Sequence, residues 1–370
     1  MQQCKRCIMD NVNDPDLKFD SGGICNHCHN YDAAIRKLPA RENAAAHFKR
    51  TVETIKAEGK SKEYDCIIGV SGGVDSTYLA YLAKENGLRA LLVHCDNGWN
   101  SELSVKNIDN ICVKTGFNLQ TNVLDWEEFR DIQLAFFKAG VVDIELPYDY
   151  ALMITTYMHA LKHNVSYVLT GHNVVTEGTV LPKSWRHDKM DIVNIKAIHK
   201  QFGKLPMKSF PHFSFVRQYL VNRKLKYVSL LNYTDYNKAE VKKLIIDKLG
   251  WRDYGGKHYE SIFTRFYQGY ILKEHFKIDK RQFHLSVLVQ SGQITREDAL
   301  AEYAQPAYDP KQLAEDKEYV MKKLGFTPET FDAYMRSPVH AHSEYPTIQK
   351  YWDLYFKLIK MARPFKRAGK

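Results

Sequence analysis

Residues 66–76 read CIIGVSGGVDS, and they pass from an apolar segment into a turn that carries two glycines. The β-branched side chains of Ile67 and Ile68 favour a buried strand, and Leu79 and Leu82 recur afterwards at helical spacing. The turn therefore joins a strand to the first turn of a helix. Unpaired backbone N–H groups and the helix dipole favour an anion at that position.

The side chains of this turn suit a phosphate ligand. Gly72 and Gly73 let the backbone approach phosphate oxygens because neither carries a Cβ atom. Ser71 and Ser76 add hydroxyl donors, and Asp75 can hold a Mg²⁺ ion that the phosphates also ligate. The lysine of a Walker A loop is absent, so transfer of a γ-phosphoryl group is not predicted. The alternative is a glycine turn without a ligand, which the flanking strand and helix disfavour.

Composition describes a packed enzyme-sized chain. Its 370 residues are 44% hydrophobic and 12% aromatic, which fits one large or two ordinary globular domains. The amino terminus MQQCKRC lacks the apolar core of a signal peptide, and no apolar run has the length of a transmembrane segment. We therefore expect a cytoplasmic protein. The net charge of +10 indicates an anionic partner, which could be a nucleotide, a nucleotide-linked sugar, a nucleic acid or a membrane surface.

Four of the seven cysteines form two CxxC pairs near the amino terminus. Cys4 and Cys7 are followed, after a polar insert, by Cys25 and Cys28, which is the spacing of a zinc ribbon. Four thiolates complete the shell of a tetrahedral Zn²⁺ ion and leave no open position, so catalysis at the metal is not expected. Unligated thiols and redox disulfides are the alternatives.

Apolar strand patterns and helical patterns alternate through the middle of the chain. The predicted strands are 64–70, 89–95, 118–124, 167–171 and 227–231. The predicted helices between and after them are 75–86, 102–115, 126–138, 149–163 and 237–249. This alternation predicts an α/β fold with a doubly wound parallel sheet. The predicted regions are a zinc ribbon at 1–32, a helical connector at 33–62, an ATP-binding domain at 63–250 and a helical carboxyl-terminal region at 251–370.

Polar side chains follow two of the predicted strands. His94 and Asp96 stand at the end of the second strand, and Gly171, His172 and Glu177 follow the fourth. The carboxyl ends of parallel strands meet at one edge of the sheet, where ligands collect. We therefore predict that His94, Asp96 and Gly171 bind ATP and that His172 and Glu177 act in catalysis. A polar turn without a ligand is the alternative for each cluster.

A second candidate site lies after residue 250. Lys257, His258 and Glu260 follow a Gly-Gly turn and precede a helix that carries Arg265. We predict catalytic roles for the first three and contact with an anionic sugar or the AMP phosphate for Arg265. The alternative is an exposed helix end with Arg265 in a salt bridge. Lys204, in an earlier basic segment, is a further candidate for substrate binding, although a solvated loop is the alternative there.

The loop SGGVDS resembles the PP-loop of the ATP pyrophosphatases, which have an adenine nucleotide α-hydrolase-like fold. Nearly the whole chain resembles the N-acetyl sugar amidotransferases of bacterial surface-polysaccharide and nonulosonic-acid synthesis. The matching motifs are CKRCIMD, CNHC, SGGVDS, TGHN and TEG at 170–178, and YGGKHYESIFTRFYQGYILKEHF.

The resemblance implies an ATP-dependent, AMP-forming enzyme that converts a sugar N-acetyl group to an acetamidino group, as in lipopolysaccharide or O-antigen synthesis. It implies ATP, Mg²⁺ and Zn²⁺ as ligands and a nucleotide-activated or free N-acetylated sugar as substrate. It also implies that a separate glutaminase and a cyclase-like subunit deliver ammonia. The sequence agrees with an external ammonia source because Cys4 belongs to the CxxC pair and is not an N-terminal nucleophile.

Two other functions compete with this one. A tRNA-thiolating PP-loop enzyme would suit the basic charge. Sulfur transfer needs reactive cysteines beside the nucleotide, however, and of the cysteines in the nucleotide domain only Cys95 stands at a strand end. A non-enzymatic nucleic-acid-binding module would leave the loop unexplained, so nucleic acid is not the favoured partner.

Overall fold

The fold is built on five parallel strands in the order β3-β2-β1-β4-β5. The structure is a computed structural model that describes residues 1–178, 180–256, 259–353, 355 and 357. The strands are β1 (Cys66–Gly69), β2 (Ala90–Asp96), β3 (Asn118–Val123), β4 (Tyr167–Leu169) and β5 (Lys226–Val228). The chain adds β2 and β3 on one side of β1 and then crosses to add β4 and β5 on the other. This order confirms the predicted doubly wound sheet and places its switch point between β1 and β4.

Helices cover the sheet and form most of the carboxyl-terminal region. Those up to β5 are α1 (Asn26–Ile35), α2 (Arg41–Gly59), α3 (Val74–Glu85), α4 (Glu102–Thr115), α5 (Trp126–Ala139), α6 (Leu146–Lys162), α7 (Val174–Glu177), α8 (Ile192–Phe202) and α9 (Phe215–Lys224). Those after β5 are α10 (Lys238–Leu249), α11 (Ile262–Phe266), α12 (Leu272–Glu274), α13 (Lys280–Gln290), α14 (Arg296–Tyr303), α15 (Pro310–Leu324) and α16 (Pro328–Met335). A π-helical segment, Tyr267–Ile271, joins α11 to α12. Among the described residues, no helix combines the length and apolar character needed to cross a membrane.

Two hydrophobic cores lie on opposite faces of the sheet because successive strand residues point to opposite sides. Ile67 of β1 belongs to the core that contains Phe129 of α5 and Ile154 of α6. Its neighbour Ile68 belongs to the core that contains Leu79 of α3 and Ile111 of α4. Burial of both faces explains why β1, β2 and β4 are largely apolar runs without a polar alternation.

Most predicted elements are present with shifts of a few residues at their ends. The predicted helix 102–115 coincides with α4, and the predicted strand 227–231 is shorter and begins one residue earlier. The basic segment that contains Lys204 is not simply a solvated loop, because α8 lies within it and buries Ile195 and Ile198. The boundaries predicted for the four regions of the chain stay predictions.

Candidate active site

The loop 71–76 follows β1 at the switch point of the sheet, and its backbone is tightly enclosed. Gly72 has a φ angle of +76°. A Cβ atom at this position would lie 2.5 Å from the backbone oxygen of Ser104 in α4. The Gly72 carbonyl accepts hydrogen bonds from Trp251 Nε1 at 2.8 Å and Asn107 Nδ2 at 3.4 Å. Only glycine fits this position, and two distant side chains fix its orientation.

The first turn of α3 begins directly after Gly73. Its N-cap residue is Gly73, which has no side chain that could cap the first N–H groups. The Gly73 carbonyl accepts from Thr77 Oγ1 at 2.6 Å and from Ser76 Oγ at 3.3 Å, while Ser71 Oγ accepts from the Gly73 N–H at 3.3 Å. The turn therefore has the geometry of an anion-binding helix terminus.

A cavity of about 630 Å³ opens beside this turn. The loop contributes Ser71, Gly73, Asp75 and Ser76 to its lining. The segment after β4 contributes Gly171, His172 and Glu177. A Cβ atom on Gly171 would lie 3.1 Å from the backbone nitrogen of Ser76, so the two segments are in close contact. The structure thus brings together most of the residues predicted at the ends of β1 and β4.

Tyr236, which no motif identified, contacts a carboxylate of this site. Its hydroxyl donates a hydrogen bond to Asp75 Oδ1. Burial raises the pKa of Tyr236, and the nearby carboxylates of Asp75 and Glu177 raise it further. A phenol that keeps its proton can donate to Asp75, and the carboxylate of Asp75 is the kind of oxygen ligand that suits Mg²⁺.

The predicted second half of the site lies on the opposite side of the loop. A Cβ atom on Gly73 would lie 3.4 Å from Tyr254 Oη and 3.8 Å from Glu260 Oε1. The Glu260 carbonyl accepts from the backbone N–H of Ser101 at 2.9 Å, which ties this segment to the turn after β2. Glu260 also lines the cavity, whereas Lys257 and His258 lie outside the described residues.

Arg265 lines the cavity but is already paired. Its Nε atom lies 2.6 Å from Asp316 Oδ2 and its Nη2 atom lies 2.8 Å from Asp316 Oδ1. This bidentate pair is the salt bridge that we gave above as the alternative role of Arg265. A ligand anion would have to share the guanidinium with Asp316, so substrate binding by Arg265 stays a prediction.

The structure does not place His94 and Asp96 among the described residues of the cavity lining. His94 is buried, and its Nδ1 donates to the Val70 carbonyl at 2.9 Å, which leaves Nε2 to accept from Asn100 Nδ2 at 3.0 Å. Burial lowers the pKa of this histidine. Asp96 Oδ1 accepts from the Gly98 N–H at 2.8 Å and from Asn100 at 3.0 Å. Both side chains organise the turn after β2, and their role as ATP ligands stays a prediction.

Lys204 is likewise outside the described cavity lining. It lies just beyond the end of α8, and its backbone N–H donates to Asp131 Oδ2 at 2.8 Å. That carboxylate also accepts from the Leu205 N–H at 2.9 Å and lies 2.9 Å from His199 Nε2. The segment is therefore anchored to α5, and substrate binding by Lys204 stays a prediction.

Helix α13 forms a wall of the cavity that the sequence did not indicate. Lys280, Arg281, His284, Leu285 and Leu288 all line it. Arg281 is paired with Asp279 at 2.7 Å. Burial lowers the pKa of Lys280, and the positive charge of Lys189 lowers it further, although nearby carboxylates oppose the shift. Lys280 therefore brings a partly desolvated amine to the cavity.

The four amino-terminal cysteines form one buried cluster whose sulfur atoms lie within 4.8 Å of one another. The sulfur–sulfur distances are 3.8 Å for Cys4 and Cys28, 3.6 Å for Cys7 and Cys25, and 3.7 Å for Cys25 and Cys28. A tetrahedron with metal–sulfur bonds of about 2.3 Å has edges of about 3.8 Å. All seven cysteines are free thiols. The cluster therefore fits a tetrahedral metal such as Zn²⁺.

Comparison with protein families identifies the carboxyl-terminal segment. Residues 260–359 match the family model described as "LPS biosynthesis protein WbpG-like, C-terminal domain". The matched segment contains Glu260, Arg265 and all of α13, so part of the cavity belongs to it.

Two curated relatives and one solved structure are similar to parts of the chain. The NH(3)-dependent NAD(+) synthetase of Mycoplasma genitalium is 37% identical over 128 residues, which are 31% of this chain and 48% of that protein. The tRNA(Ile)-lysidine synthase of Chlamydia pneumoniae is 36% identical over 70 residues, which are 18% of this chain and 22% of that protein. The chain thus spans about half the length of the first relative and about a fifth of the second. The solved NH3-dependent NAD synthetase from Campylobacter jejuni is 12% identical, with 78% of this chain and 97% of that chain covered and a TM-score of 0.34.

The parallel sheet with the SGGVDS loop at its switch point is an α/β nucleotide-binding type of fold, and the chain is similar to two curated relatives over 128 and 70 residues. Its carboxyl-terminal segment, residues 260–359, matches the WbpG-like family model.

Proposed function

We propose that the protein is an ATP-dependent, AMP-forming amidotransferase that converts the N-acetyl group of a sugar to an acetamidino group. One observation carries the proposal. The PP-loop and the segment that matches a lipopolysaccharide-biosynthesis family line the same 630 Å³ cavity. A cavity of this size is sufficient for a nucleotide with part of a second substrate.

In the first proposed step, the carbonyl oxygen of the acetamido group attacks the α-phosphorus of ATP. The bond from this phosphorus to the pyrophosphate oxygen breaks, the amide nitrogen releases its proton, and an O-adenylated imidate forms. Ser71, Ser76 and the first turn of α3 would bind the phosphates. Asp75 would hold Mg²⁺, which would neutralise phosphate charge. Glu260, beside Gly73, is placed to orient the amide.

In the second proposed step, ammonia attacks the imidate carbon and the carbon–oxygen bond to AMP breaks. The nitrogen loses a proton, and the products are the amidine, AMP and pyrophosphate. His172 and Glu177 line the cavity and are proposed to accept this proton. The curated relative from Mycoplasma genitalium is named as an NH(3)-dependent enzyme, which supports ammonia as the nucleophile.

The four-cysteine cluster is proposed to hold Zn²⁺ in a closed structural site. Cys28 Sγ accepts a hydrogen bond from Gln290 Nε2 at 3.3 Å, and Cys4 Sγ accepts from the Cys25 N–H at 3.3 Å. Such N–H donors commonly orient metal-bound thiolates. Delivery of ammonia by a separate glutaminase and a cyclase-like subunit remains part of the proposal.

The properties of the other cysteines support amidation over tRNA thiolation. Burial raises the pKa of Cys95 to about 12 and also raises the pKa values of Cys66 and Cys112. Sulfur transfer requires a thiolate, and these thiols hold their protons at neutral pH. The similarity to a tRNA(Ile)-lysidine synthase is limited to 70 residues.

The test is incubation of the protein with ATP, Mg²⁺, ammonium chloride and a panel of free and UDP-linked N-acetyl sugars. Mass spectrometry should find a sugar product in which NH replaces one oxygen, together with equal amounts of AMP and pyrophosphate. Asp75→Ala, checked for its fold by circular dichroism, should form neither product. AMP release that depends on tRNA and not on a sugar would contradict the proposal.

A further inference from the structure

We infer that the four-cysteine module, residues 1–32, positions helix α13 and thereby sets the wall of the cavity that α13 forms. Helix α13 lies between the module and the cavity. Gln282, Ser286 and Gln290 follow one another at four-residue spacing, so they share one face of the helix. Each makes a hydrogen bond to the module. The inference concerns the architecture of the cavity and holds whatever its substrate is.

The first contact holds the start of the helix. Asn13 Oδ1 accepts from the Asp279 N–H at 2.8 Å, and Asn13 Nδ2 donates to the Asp279 carbonyl at 2.9 Å. The same Nδ2 donates to Gln282 Oε1 at 2.9 Å, and Gln282 Nε2 donates to Asp10 Oδ2 at 2.6 Å. Asp279 is the N-cap of α13, and both Asn13 and Gln282 are buried. One buried amide therefore fixes the residue from which α13 begins.

Further contacts hold the rest of the helix. The Ile8 N–H donates to Ser286 Oγ at 3.2 Å, and Ile8 packs with Leu285 and Ala299 in a small buried cluster. Gln290 Nε2 reaches the sulfur of Cys28 at 3.3 Å, so the last turn contacts the cysteine cluster directly. These contacts extend over the full length of the helix.

The neighbouring face of α13 is turned to the cavity. Arg281, Leu285 and Leu288 line it, as do Lys280 and His284. Leu285 takes part in both the module cluster and the cavity lining, so the wall is one side chain thick at that position. A displacement of the module would therefore move the groups that face a ligand. On this account the module acts within the chain, not as a separate nucleic-acid-binding unit.

The experiment compares Asn13→Ala with Asn11→Ala as a matched control in the full-length protein. Asn11 is exposed, belongs to the same module, and makes its hydrogen bond to the Gln2 N–H. Neither residue is a cysteine, so both variants should keep the metal content of the parent protein. Amide hydrogen exchange should become at least about tenfold faster in peptides from α13 in Asn13→Ala, because several buried hydrogen bonds are lost. Exchange in α4 should not change in either variant.

A second readout reports on the cavity itself. The pH dependence of acetylation of the Lys280 amine by acetic anhydride can be measured by peptide mass spectrometry. The charged groups around this amine are Glu145, Asp143, Asp149 and Lys189. The labelling profile of Lys280 should shift towards that of an exposed lysine in Asn13→Ala and stay unchanged in Asn11→Ala. A contact that only stabilised the module would not move this profile.

Unchanged exchange in α13, an equal change in both variants, or an unchanged Lys280 profile would overturn the inference. If Asn13→Ala unfolds the whole chain, Ser286→Ala replaces it, because that variant removes only the hydrogen bond from Ile8. Removal of the metal from the parent protein with a chelator gives an independent arm. Metal removal should increase amide exchange in α13 before it does so in α4. A simultaneous increase of exchange in both helices would contradict the inference.

Discussion

Replacement of Gly72 by alanine tests whether the phosphate-binding loop is constrained as described. The left-handed backbone of Gly72, with φ of +76°, costs an alanine about 1 kcal/mol. The new Cβ atom would also lie 2.5 Å from the backbone oxygen of Ser104, which belongs to the first turns of α4. Relief of such an overlap in a packed region costs about 1–3 kcal/mol more. We therefore expect a total loss of about 2–4 kcal/mol of unfolding free energy.

Gly116→Ala is the matched control because Gly116 has a φ angle of +71° and no described atom within 4 Å of its Cβ position. It should lose only the backbone part, about 1 kcal/mol. Urea unfolding followed by circular dichroism gives both values. Gly72→Ala should also bind Mg·ATP more weakly, while Gly116→Ala should bind it as the parent does. Equal losses of stability, with ATP binding intact in both variants, would refute the reasoning.

Three further predictions concern other parts of the molecule. Lys189→Met should lower the free energy of unfolding by about 3 kcal/mol, because the Asp143 carboxylate is 2% exposed and loses its partner at 2.7 Å. Lys106→Met is the control at an exposed ion pair, and it should lower the free energy of unfolding by less than about 0.5 kcal/mol. Burial raises the pKa of Asp143, but the charges of Lys189 and Lys280 outweigh this and lower it. The stability that this carboxylate contributes is therefore present above its pKa in the unfolded chain, about 3.9, and is lost as the pH falls through its lower pKa in the folded protein. The urea midpoints of the parent and of Lys189→Met should therefore converge in acid. Metal analysis should find one Zn²⁺ per chain. Cys25→Ser should lower the zinc content and increase proteolysis near the amino terminus. If the parent protein has no metal and resists the protease equally well, the zinc assignment is contradicted.

The sheet and its loop could be predicted because their signals are local. The strands β1, β2 and β4 are short apolar runs, the crossovers contain helical patterns, and the loop carries its ligands within six positions of the sequence, 71–76. Thr295 with an acid three residues later is a further local pattern, typical of a helix N-cap, and the Thr295 hydroxyl accepts from the Asp298 N–H at 3.0 Å.

The parts that were missed depend on contacts between distant segments. Trp251 and Asn107 hold the Gly72 carbonyl, and Tyr236 contacts Asp75, but none of these residues belongs to a recognisable motif. The carboxyl end of β2 shows a different difficulty for prediction from sequence. His94 has the polar character of a ligand, yet a strand that passes into a turn uses the same residue types to satisfy its own backbone. Sequence alone does not separate these roles.

Helix α13 shows the same limit at the scale of an element. Its residues are visibly helical, but nothing in the local pattern indicates that one face meets a module more than two hundred and sixty positions earlier in the chain. That contact turns an ordinary amphipathic helix into a wall of the candidate site.

The most direct test of the proposed chemistry follows the amide oxygen. An N-acetyl sugar that serves as substrate is prepared with a heavy oxygen isotope in its acetyl carbonyl and is incubated with the protein, ATP, Mg²⁺ and ammonium chloride. Attack of this oxygen on the α-phosphorus predicts that the heavy isotope appears in the phosphate of AMP, in an amount equal to the amidine formed. Formation of amidine with unlabelled AMP would contradict the account.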